Sequence, residues 1–247
     1  MSNTAPTDNP LSLSHCLHEN FAYATRNPYH QKLEEFDEFV LRDLQGESFK
    51  GKWNQEIFKN NFPIHMEVGT GYGHFMLDFL KSHENINFIG MDYRFKRSYQ
   101  LACKLSKFGQ KNFRLLRAKG ERVHFLFDKN EVDNLYYFFP DPWPKKRHHK
   151  KRLFQETFLK SCHHILKSDG HFYIKTDHDE LFEWMLEVVK NSPYFTSCFQ
   201  STHLWNEYPD HFLCQFQTKF EKIFISQGVK IKALVLRPSS TYESIDT

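Results

Sequence analysis

Short apolar runs alternate with helical patterns along most of the chain, and this alternation constrains the fold more than any other feature of the sequence. We predict strands over residues 64–68, 87–92, 112–117, 135–139, 171–176 and 230–236, and helices over residues 74–81, 95–107, 153–166, 179–190 and 216–225. Strands that alternate with helices form parallel βαβ units. The sequence therefore predicts an α/β fold with a mostly parallel central sheet and helices on both faces.

The first part of the chain has a different character. Residues 1–30 are polar and rich in Ser, Thr, Asn and Pro, so we predict a flexible N-terminal extension. Residues 31–247 have a length that suits one domain. Within them, Leu33, Phe36, Val40 and Leu44 have helical spacing, which predicts a helix over residues 30–44.

Composition excludes several classes of protein. Apolar residues make up 40% and charged residues 26% of the chain, which is typical of a globular protein. No apolar stretch is long enough to span a membrane, and the N-terminus lacks a secretory pattern, so we expect a soluble, cytoplasmic protein. The 5 cysteines are odd in number and none has CxxC spacing, so we expect neither a disulfide framework nor a metal site.

A glycine-rich turn follows the first predicted strand. Gly69, Gly71 and Gly73 have the spacing G-x-G-x-G, whereas dinucleotide-binding turns have the spacing G-x-G-x-x-G. These glycines either allow the strand to turn into the next helix or allow a ligand to approach the backbone closely. Glu67 precedes them, and a carboxylate there repels a pyrophosphate but suits an ammonium or sulfonium group. S-adenosylmethionine carries both groups and no phosphate, so the turn favours this cofactor over a nicotinamide dinucleotide.

A second carboxylate, Asp92, follows the second predicted strand, 23 residues after Gly69. A carboxylate at about this offset accepts hydrogen bonds from the ribose hydroxyls of a bound nucleoside. An aspartate in this position also commonly caps the following helix. Ligands of open α/β sheets bind beyond the carboxyl ends of the strands. Glu67, the glycines and Asp92 together therefore favour a nucleoside site more strongly than any one of them.

Positive charge is concentrated in one part of the sequence, although the net charge is only +3. Ten lysines and arginines lie between Asp92 and Arg122, where only two residues are acidic. A run of charge usually forms a solvated helix face, but segregation on this scale favours a polyanionic partner.

The most informative segment reads FPDPWPKKRHHKKR over residues 139–152. Its three prolines restrict the backbone on both sides of Asp141, and Trp143 provides an aromatic face for stacking. Residues 145–152 contain six lysines and arginines. A rigid loop with an acid and an aromatic ring, followed by cations, suits a base within a larger nucleic acid. A localisation signal would account for the cations but not for the proline-rich residues before them.

In these segments the sequence resembles the bacterial tRNA (guanine-N7-)-methyltransferase family, from about residue 51 to residue 236. The resemblance is carried by GKWN (51–54), PIHMEVGTGYG (63–73), GMDYRFKR (90–97), FPDPWPKKRHHKKR (139–152), KTD (175–177) and TKFE (218–221). It implies a Rossmann-like class I methyltransferase fold with a C-terminal antiparallel strand. It also implies S-adenosylmethionine as the cofactor and guanine 46, in the variable loop of tRNA, as the methylated base.

The resemblance further implies roles for individual residues, with Asp141 as the catalytic acid. The implied cofactor contacts are Glu67, Gly69, Gly71, Asp92, Lys119 and Asp141. The implied substrate contacts are Lys145, Asp177, Thr218, Lys219, Phe220 and Glu221. The implied tRNA-binding run is Arg147, His148, His149, Lys150, Lys151 and Arg152. The expected partner is tRNA, and the oligomeric state, monomer or homodimer, is left open.

Two residues differ from the family pattern. The family usually has Glu where this chain has Asp92, whose side chain is one methylene shorter. The family also usually has Asp, in the motif N-x-x-L-L-x-x-D-A, where this chain has Lys119. A lysine cannot accept the hydrogen bond of the adenine amino group. Glu121 is the candidate replacement; without it, weak cofactor binding is expected.

The mechanism that follows needs no general base, because guanine N7 has a lone pair and no proton. We expect N7 to attack the sulfonium methyl group in line, so that the enzyme contributes positioning and electrostatic stabilisation. Asp141 is the candidate for stabilising the positive charge that moves to the purine. Asp177 or Glu221 is expected to accept hydrogen bonds from guanine N1–H and N2–H₂.

Three other functions are weighed against this one. Adenine amino-methyltransferases have a motif of the type D/N-P-P-Y/W at a strand end, whereas here Asp141 separates the two prolines. A tRNA-binding protein without enzymatic activity would be consistent with Lys119. A nicotinamide oxidoreductase is disfavoured by the glycine spacing and by Glu67.

Overall fold

A computed structural model of the protein describes residues 13–18 and 20–240. These residues form one sheet of eight strands in the order β1-β4-β3-β2-β5-β6-β8-β7. The strands are β1 Val40–Arg42, β2 Ile64–Val68, β3 Asn87–Met91, β4 Phe113–Arg117, β5 Val132–Phe138, β6 Leu166–Thr176, β7 Phe195–Ser201 and β8 Lys232–Pro238. All pairs from β1 through β6 are parallel, and β8 pairs antiparallel with both β6 and β7. The predicted α/β class, with its mostly parallel sheet and antiparallel C-terminal strand, is confirmed.

Helices follow most of the strands. The α-helices are α1 Pro28–Lys32, α2 His74–Ser82, α3 Phe95–Leu105, α4 Val123–Leu126, α5 Glu156–Ile165, α6 Asp179–Lys190, α7 Leu204–Glu207, α8 Phe212–Gln215 and α9 Lys219–Ser226. Shorter 3₁₀ turns cover Leu13–Leu17, Leu33–Phe36, Gln45–Phe49, Gly120–Arg122 and Lys146–Lys151, and Trp53–Phe58 is π-helical. None of the helices in this part of the chain is long and apolar enough to cross a membrane.

The central strands are buried because helices cover both faces of the sheet. Every residue of β2 and of β3 is buried. Successive side chains of a strand point to opposite faces. In β2, Met66 accordingly belongs to one apolar core, whereas the ring of its neighbour His65 contacts Phe79 in the other core. This arrangement leaves the carboxyl ends of the strands as the open edge of the sheet, where ligands of α/β proteins bind.

The predicted helix over residues 30–44 is wrong. The chain forms the short helix α1 and a 3₁₀ turn, and then Val40–Arg42 becomes the edge strand β1. Val40 pairs with Leu115 of β4, while Leu44 is exposed. Pairing with the edge of the sheet therefore outweighs the helical spacing of the apolar residues.

Two strands in the C-terminal half of the sheet, β6 and β7, also differ from the prediction. Strand β6 begins at Leu166, which the apolar pattern assigns to the end of a helix, and is longer than predicted. Strand β7 is absent from the prediction, because its middle residues are exposed and include Ser, Cys and Gln. Among the described strands it pairs only with β8, at the edge of the sheet, so it lacks the apolar pattern of a buried strand.

The predicted N-terminal extension lies partly outside the described residues, which begin at residue 13. Its described part contacts the rest of the fold. Phe21 is buried, and the Tyr23 hydroxyl accepts a hydrogen bond from the backbone amide of Lys119 at 3.0 Å. The division into an extension and one domain stays a prediction.

Candidate active site

A cavity of about 350 Å³ opens at the carboxyl ends of β2 to β5. Each of these strands contributes a residue at or just after its end, namely Val68, Met91, Ala118 and Phe138. The volume lies within the ~300–1,000 Å³ that is typical of small-molecule sites. The cavity therefore lies where the sequence predicts a ligand.

The glycine turn forms one side of this cavity. Gly69 lines it and has a φ of +80°, a conformation that favours glycine. A Cβ atom added at Gly69 would meet no atom within 4 Å, so the space beside the turn is open to a ligand. At Gly73 an added Cβ would lie 2.2 Å from Leu101 Cδ1, because α3 packs directly against the turn. The two glycines thus serve different purposes, one facing the cavity and the other facing the core.

Glu67 lies below the turn, and its side chain is not among those that line the cavity. It is buried and accepts a hydrogen bond of 2.6 Å from the Thr70 hydroxyl. Burial raises the pKa of Glu67 to about 7, although this hydrogen bond and the charge of Lys175 oppose the shift. Glu67 therefore supports the turn through its hydrogen bond with Thr70.

Asp92 lines the cavity and is anchored by two backbone amides. Its Oδ2 accepts from the Gly71 amide at 3.0 Å, and its Oδ1 accepts from the Arg94 amide at 2.7 Å. Burial raises the pKa of Asp92, and the Arg94 amide and nearby positive charge oppose this. A carboxylate oxygen with one amide donor retains a lone pair for a further hydroxyl donor. The shorter side chain at this position is thus compatible with the predicted contact to ribose.

Asp141 also lines the cavity, on the proline-rich loop over residues 139–144, which we call the proline loop. The loop also contributes Phe139, Pro140 and Trp143 to the lining. The Asp141 side chain is 57% exposed, and its Oδ2 lies 3.7 Å from Arg94 Nη2. An exposed acid at the cavity mouth is accessible to a second, larger ligand.

Hydrogen bonds hold the proline loop at two points. The Phe139 amide donates to the Lys175 carbonyl of β6 at 2.8 Å, and Arg152 Nε donates to the Pro142 carbonyl at 2.9 Å. Phe139 and Trp143 have positive φ values of 51° and 45°. Non-glycine residues keep such conformations only where their surroundings impose them. The position of Asp141 is therefore set by contacts outside the loop as well as by its prolines.

Comparison with known proteins identifies the family of this chain. A family model described as "Putative methyltransferase" matches residues 61–234. A tRNA (guanine-N(7)-)-methyltransferase of Bacillus cytotoxicus is 36% identical over 204 residues, which cover 81% of this chain and 89% of the relative. The chain belongs to the tRNA (guanine-N(7)-)-methyltransferase family. A second member, from Enterococcus faecalis, is 38% identical over 75% of this chain and 84% of its own length.

A solved structure agrees with this assignment at the level of the fold. The crystal structure of the 16S rRNA methyltransferase KamB superposes with a TM-score of 0.55 and covers 75% of this chain and 94% of its own. Its sequence is 13% identical, so the likeness shows a shared methyltransferase fold alone.

The basic run that this family member carries after the proline loop is only partly exposed. Arg147 and Lys150 are exposed, while Lys151 lines the cavity with its ammonium 4.8 Å from the Trp143 ring. The two histidines between them, His148 and His149, are half-buried.

Arg152, the last residue of that run, is buried instead of exposed. Its Nη2 donates to Glu180 Oε1 at 3.0 Å, and its guanidinium lies 5.2 Å from the centre of the Trp184 ring. Through its Nε, which donates to the Pro142 carbonyl, Arg152 also holds the proline loop in place. In this conformation Arg152 therefore does not belong to the exposed surface. Its predicted contact with tRNA stays a prediction.

The predicted substrate contacts over residues 218–221 divide into two kinds. The side chains of Thr218 and Glu221 form a capping box at the start of α9. Glu221 is fully buried, and its carboxylate also binds Lys175 Nζ at 2.6 Å and Trp205 Nε1 at 2.9 Å. Lys219 and Phe220 are exposed. In this conformation the Glu221 carboxylate is therefore occupied by partners within the core.

Lys145 and Asp177 do not line the cavity. Lys145 is exposed at the start of the basic run, and Asp177 is half-buried directly after β6. The Asp177 carbonyl accepts from Lys232 Nζ at 2.9 Å, so the backbone is fixed while the carboxylate is left available. Their predicted contacts with substrate stay predictions.

Sequence reasoning missed several residues of the site, among them Arg94, Cys16 and Tyr93. Arg94 lies 3.7 Å from Asp141. Its position two residues after Asp92, at the same strand end, is a sequence feature that could have identified it. Cys16 and Tyr93 also line the cavity, and no pattern in the sequence identifies them. No group of three or more His, Cys, Asp or Glu residues in the described ranges has the geometry of a metal site.

Proposed function

We propose that this protein transfers the methyl group of S-adenosylmethionine to N7 of guanine 46 in tRNA, by in-line attack of N7 on the sulfonium methyl group. The observation that carries the proposal is that Asp141, on the fastened proline loop, faces the same cavity as Gly69 and Asp92. The candidate cofactor site and a carboxylate that can interact with a nucleobase thus lie at the same cavity. The names of the relatives support tRNA guanine as the substrate.

The cavity suits S-adenosylmethionine by the chemistry of its walls. Asp92 offers carboxylate lone pairs to ribose hydroxyls, and the space beside Gly69 admits a ligand close to the backbone. When bound, S-adenosylmethionine supplies an electrophilic methyl group. The residues of the chain then hold the two reactants in line, and such positioning accounts for much of the rate acceleration of a bimolecular transfer.

The guanine would enter at the exposed side of the cavity. Trp143 lines the cavity, and aromatic side chains of this kind stack with nucleobases that are not base-paired. Asp141 carries negative charge where the purine gains positive charge during transfer. Guanine N7 has no proton to lose, so no residue of the site has to act as a general base.

The direct test is transfer of labelled methyl from S-adenosylmethionine to an unmodified tRNA transcript, followed by digestion to nucleosides. We expect the label in 7-methylguanosine, and we expect it to disappear when guanine 46 of the transcript is replaced by adenine. Label in a methylated adenosine would instead identify an amino-methyltransferase. Intact tRNA binding without any label would identify a binding protein on a methyltransferase fold.

The exposed cations after the proline loop give a second prediction. Replacing Arg147 or Lys150 with alanine should weaken tRNA binding and reduce the slope of log affinity against log salt by about 1 for each phosphate that the variant no longer neutralises. Titrations of tRNA at several KCl concentrations measure this slope. Lys190→Ala, which removes an exposed lysine from the end of α6, is the matched control. A slope that stays unchanged in the Arg147 and Lys150 variants would contradict the assignment.

A further inference from the structure

The described residues 15–18 and 20–24, here called the N-terminal segment, are held by basic residues after β4. The buried guanidinium of Arg122 donates from Nη1 to the Cys16 carbonyl at 2.7 Å and to the His18 carbonyl at 3.3 Å. The Lys119 amide donates to the Tyr23 hydroxyl at 3.0 Å. These bonds join groups about a hundred positions apart in the chain.

The same cations have further partners that fix them in place. Arg122 also donates to both carboxylate oxygens of Glu47, at 2.6 and 2.8 Å, and lies 5.0 Å from the centre of the Phe21 ring. Arg117 forms an ion pair with Asp43, and its guanidinium lies 5.2 Å from the Tyr23 ring. Arg117 and Arg122 are at most 3% exposed, so they are not part of a surface for a polyanion. They stabilise the packing of the N-terminal segment instead.

The N-terminal segment reaches the cavity itself. Cys16 is 2% exposed to solvent, and it lines the cavity together with Lys119, Gly120 and Glu121. Lys119 Nζ donates to Cys16 Sγ at 3.1 Å and also lies 5.5 Å from the Phe21 ring centre. The Lys119 ammonium is thus directed at the segment.

We propose that the N-terminal segment forms part of the cofactor site and closes the cavity where β4 ends. Cys16 contacts the cofactor, and Tyr23 is a positioning residue. The proposal rests on the proposed function, because it takes the ligand to be a nucleoside cofactor. The end of β4 is where Lys119 replaces the usual acid. At that position the N-terminal segment packs against the cofactor, where other family members would offer a carboxylate acceptor.

This arrangement links two equilibria. A cofactor that contacts the segment stabilises its packed position, and a packed segment stabilises the bound cofactor by the same free energy. Binding of cofactor should therefore slow hydrogen exchange in the N-terminal segment, while a variant that loosens the segment should bind cofactor less tightly.

The first measurement is hydrogen exchange of the full-length chain with and without S-adenosylhomocysteine, the expected product. We expect slower exchange in the N-terminal segment on binding. In the same samples, Cys16 should react with N-ethylmaleimide more slowly when the product is bound. The exposed Cys198 is an internal control whose reaction rate should not change. Unchanged protection of both the segment and Cys16 in a chain that binds the product would overturn the proposal.

The second measurement uses Tyr23→Phe, which removes the hydroxyl bound to the Lys119 amide. Tyr23 does not line the cavity, so its effect on affinity must act through the segment. We expect calorimetry to show about 2- to 10-fold weaker binding of S-adenosylhomocysteine, as for the loss of one hydrogen bond. The KM for S-adenosylmethionine should rise by a similar factor, with kcat retained.

Tyr208→Phe is the matched control, because it removes a hydroxyl from an exposed tyrosine far from the segment in sequence. Equal affinity in the two variants would refute the role of Tyr23 and of the segment while leaving the proposed function intact. No binding of S-adenosylhomocysteine by the unaltered chain would refute the cofactor itself, and the proposal with it. The two failures are therefore distinguishable.

Discussion

Asp141→Asn is expected to lower the turnover number by about 100- to 1,000-fold, which is the usual effect of removing one preorganised electrostatic contact from an active site. The substitution keeps the shape of the side chain and removes its charge. During transfer the purine gains positive charge, and an amide stabilises that charge far less than a carboxylate. Single-turnover rates with saturating tRNA and cofactor measure the effect on the chemical step.

The fold and the tRNA affinity should survive this change. The pair between Asp141 and Arg94 is 3.7 Å long with both side chains about half exposed, and exposed ion pairs contribute little to stability. Asp169→Asn, in an exposed part of β6, is the matched control and should retain full turnover. A loss of tRNA binding in Asp141→Asn, with methylation per bound tRNA unchanged, would show that Asp141 binds substrate without taking part in catalysis.

The residues of this site that are easiest to predict from the sequence are those whose conformation depends on their immediate neighbours in the chain. The proline loop carries its own conformational restrictions, and the glycines of the turn are required by positive φ. Both features follow from a few neighbouring residues, and both lie at strand ends that the apolar pattern locates. Gly69, Asp92 and Asp141 accordingly line one cavity.

Burial of charged residues is harder to predict, because it depends on distant parts of the chain. The ten cations between Asp92 and Arg122 indicate a surface for a polyanion when the sequence is considered alone. Two of them, Arg117 and Arg122, pair with Asp43 and Glu47, which lie 74 and 75 positions earlier. Neither pairing produces a periodic or spacing signal, so charge segregation alone overestimates the basic surface.

The same limit applies to strands at the edges of the sheet. Val40–Arg42 has too few residues to show an alternating pattern, and the apolar residues around it have helical spacing. Its identity as β1 follows from the free edge of β4, which is a property of the assembled sheet. Central strands such as β2 are buried on both faces, so their apolar runs identify them without that information.

The largest effect on stability is expected for Lys175→Met, which removes one member of a fully buried ion pair. Lys175 Nζ donates to Glu221 at 2.6 Å and to the carbonyls of Leu213 and Phe216, both at 3.1 Å. Burial lowers the pKa of Lys175, and the charge of Glu221 opposes this shift. Without the lysine, the Glu221 carboxylate is left in the core with only hydrogen bonds, at a cost of about 3–5 kcal/mol. Urea unfolding of the variant and of the unaltered chain measures this difference.

A double variant separates the cost of an unpaired charge from the worth of the pair. Lys175→Met combined with Glu221→Gln removes both charges, and we expect it to be more stable than Lys175→Met alone. Lys232→Met is the matched control, because Lys232 pairs with Asp179, whose side chain is 82% exposed to water. Its removal should cost less, since the freed carboxylate is already solvated. Equal destabilisation by both single variants would show that the loss of stability comes from the packing of the lysine side chain and not from the buried charge of Glu221.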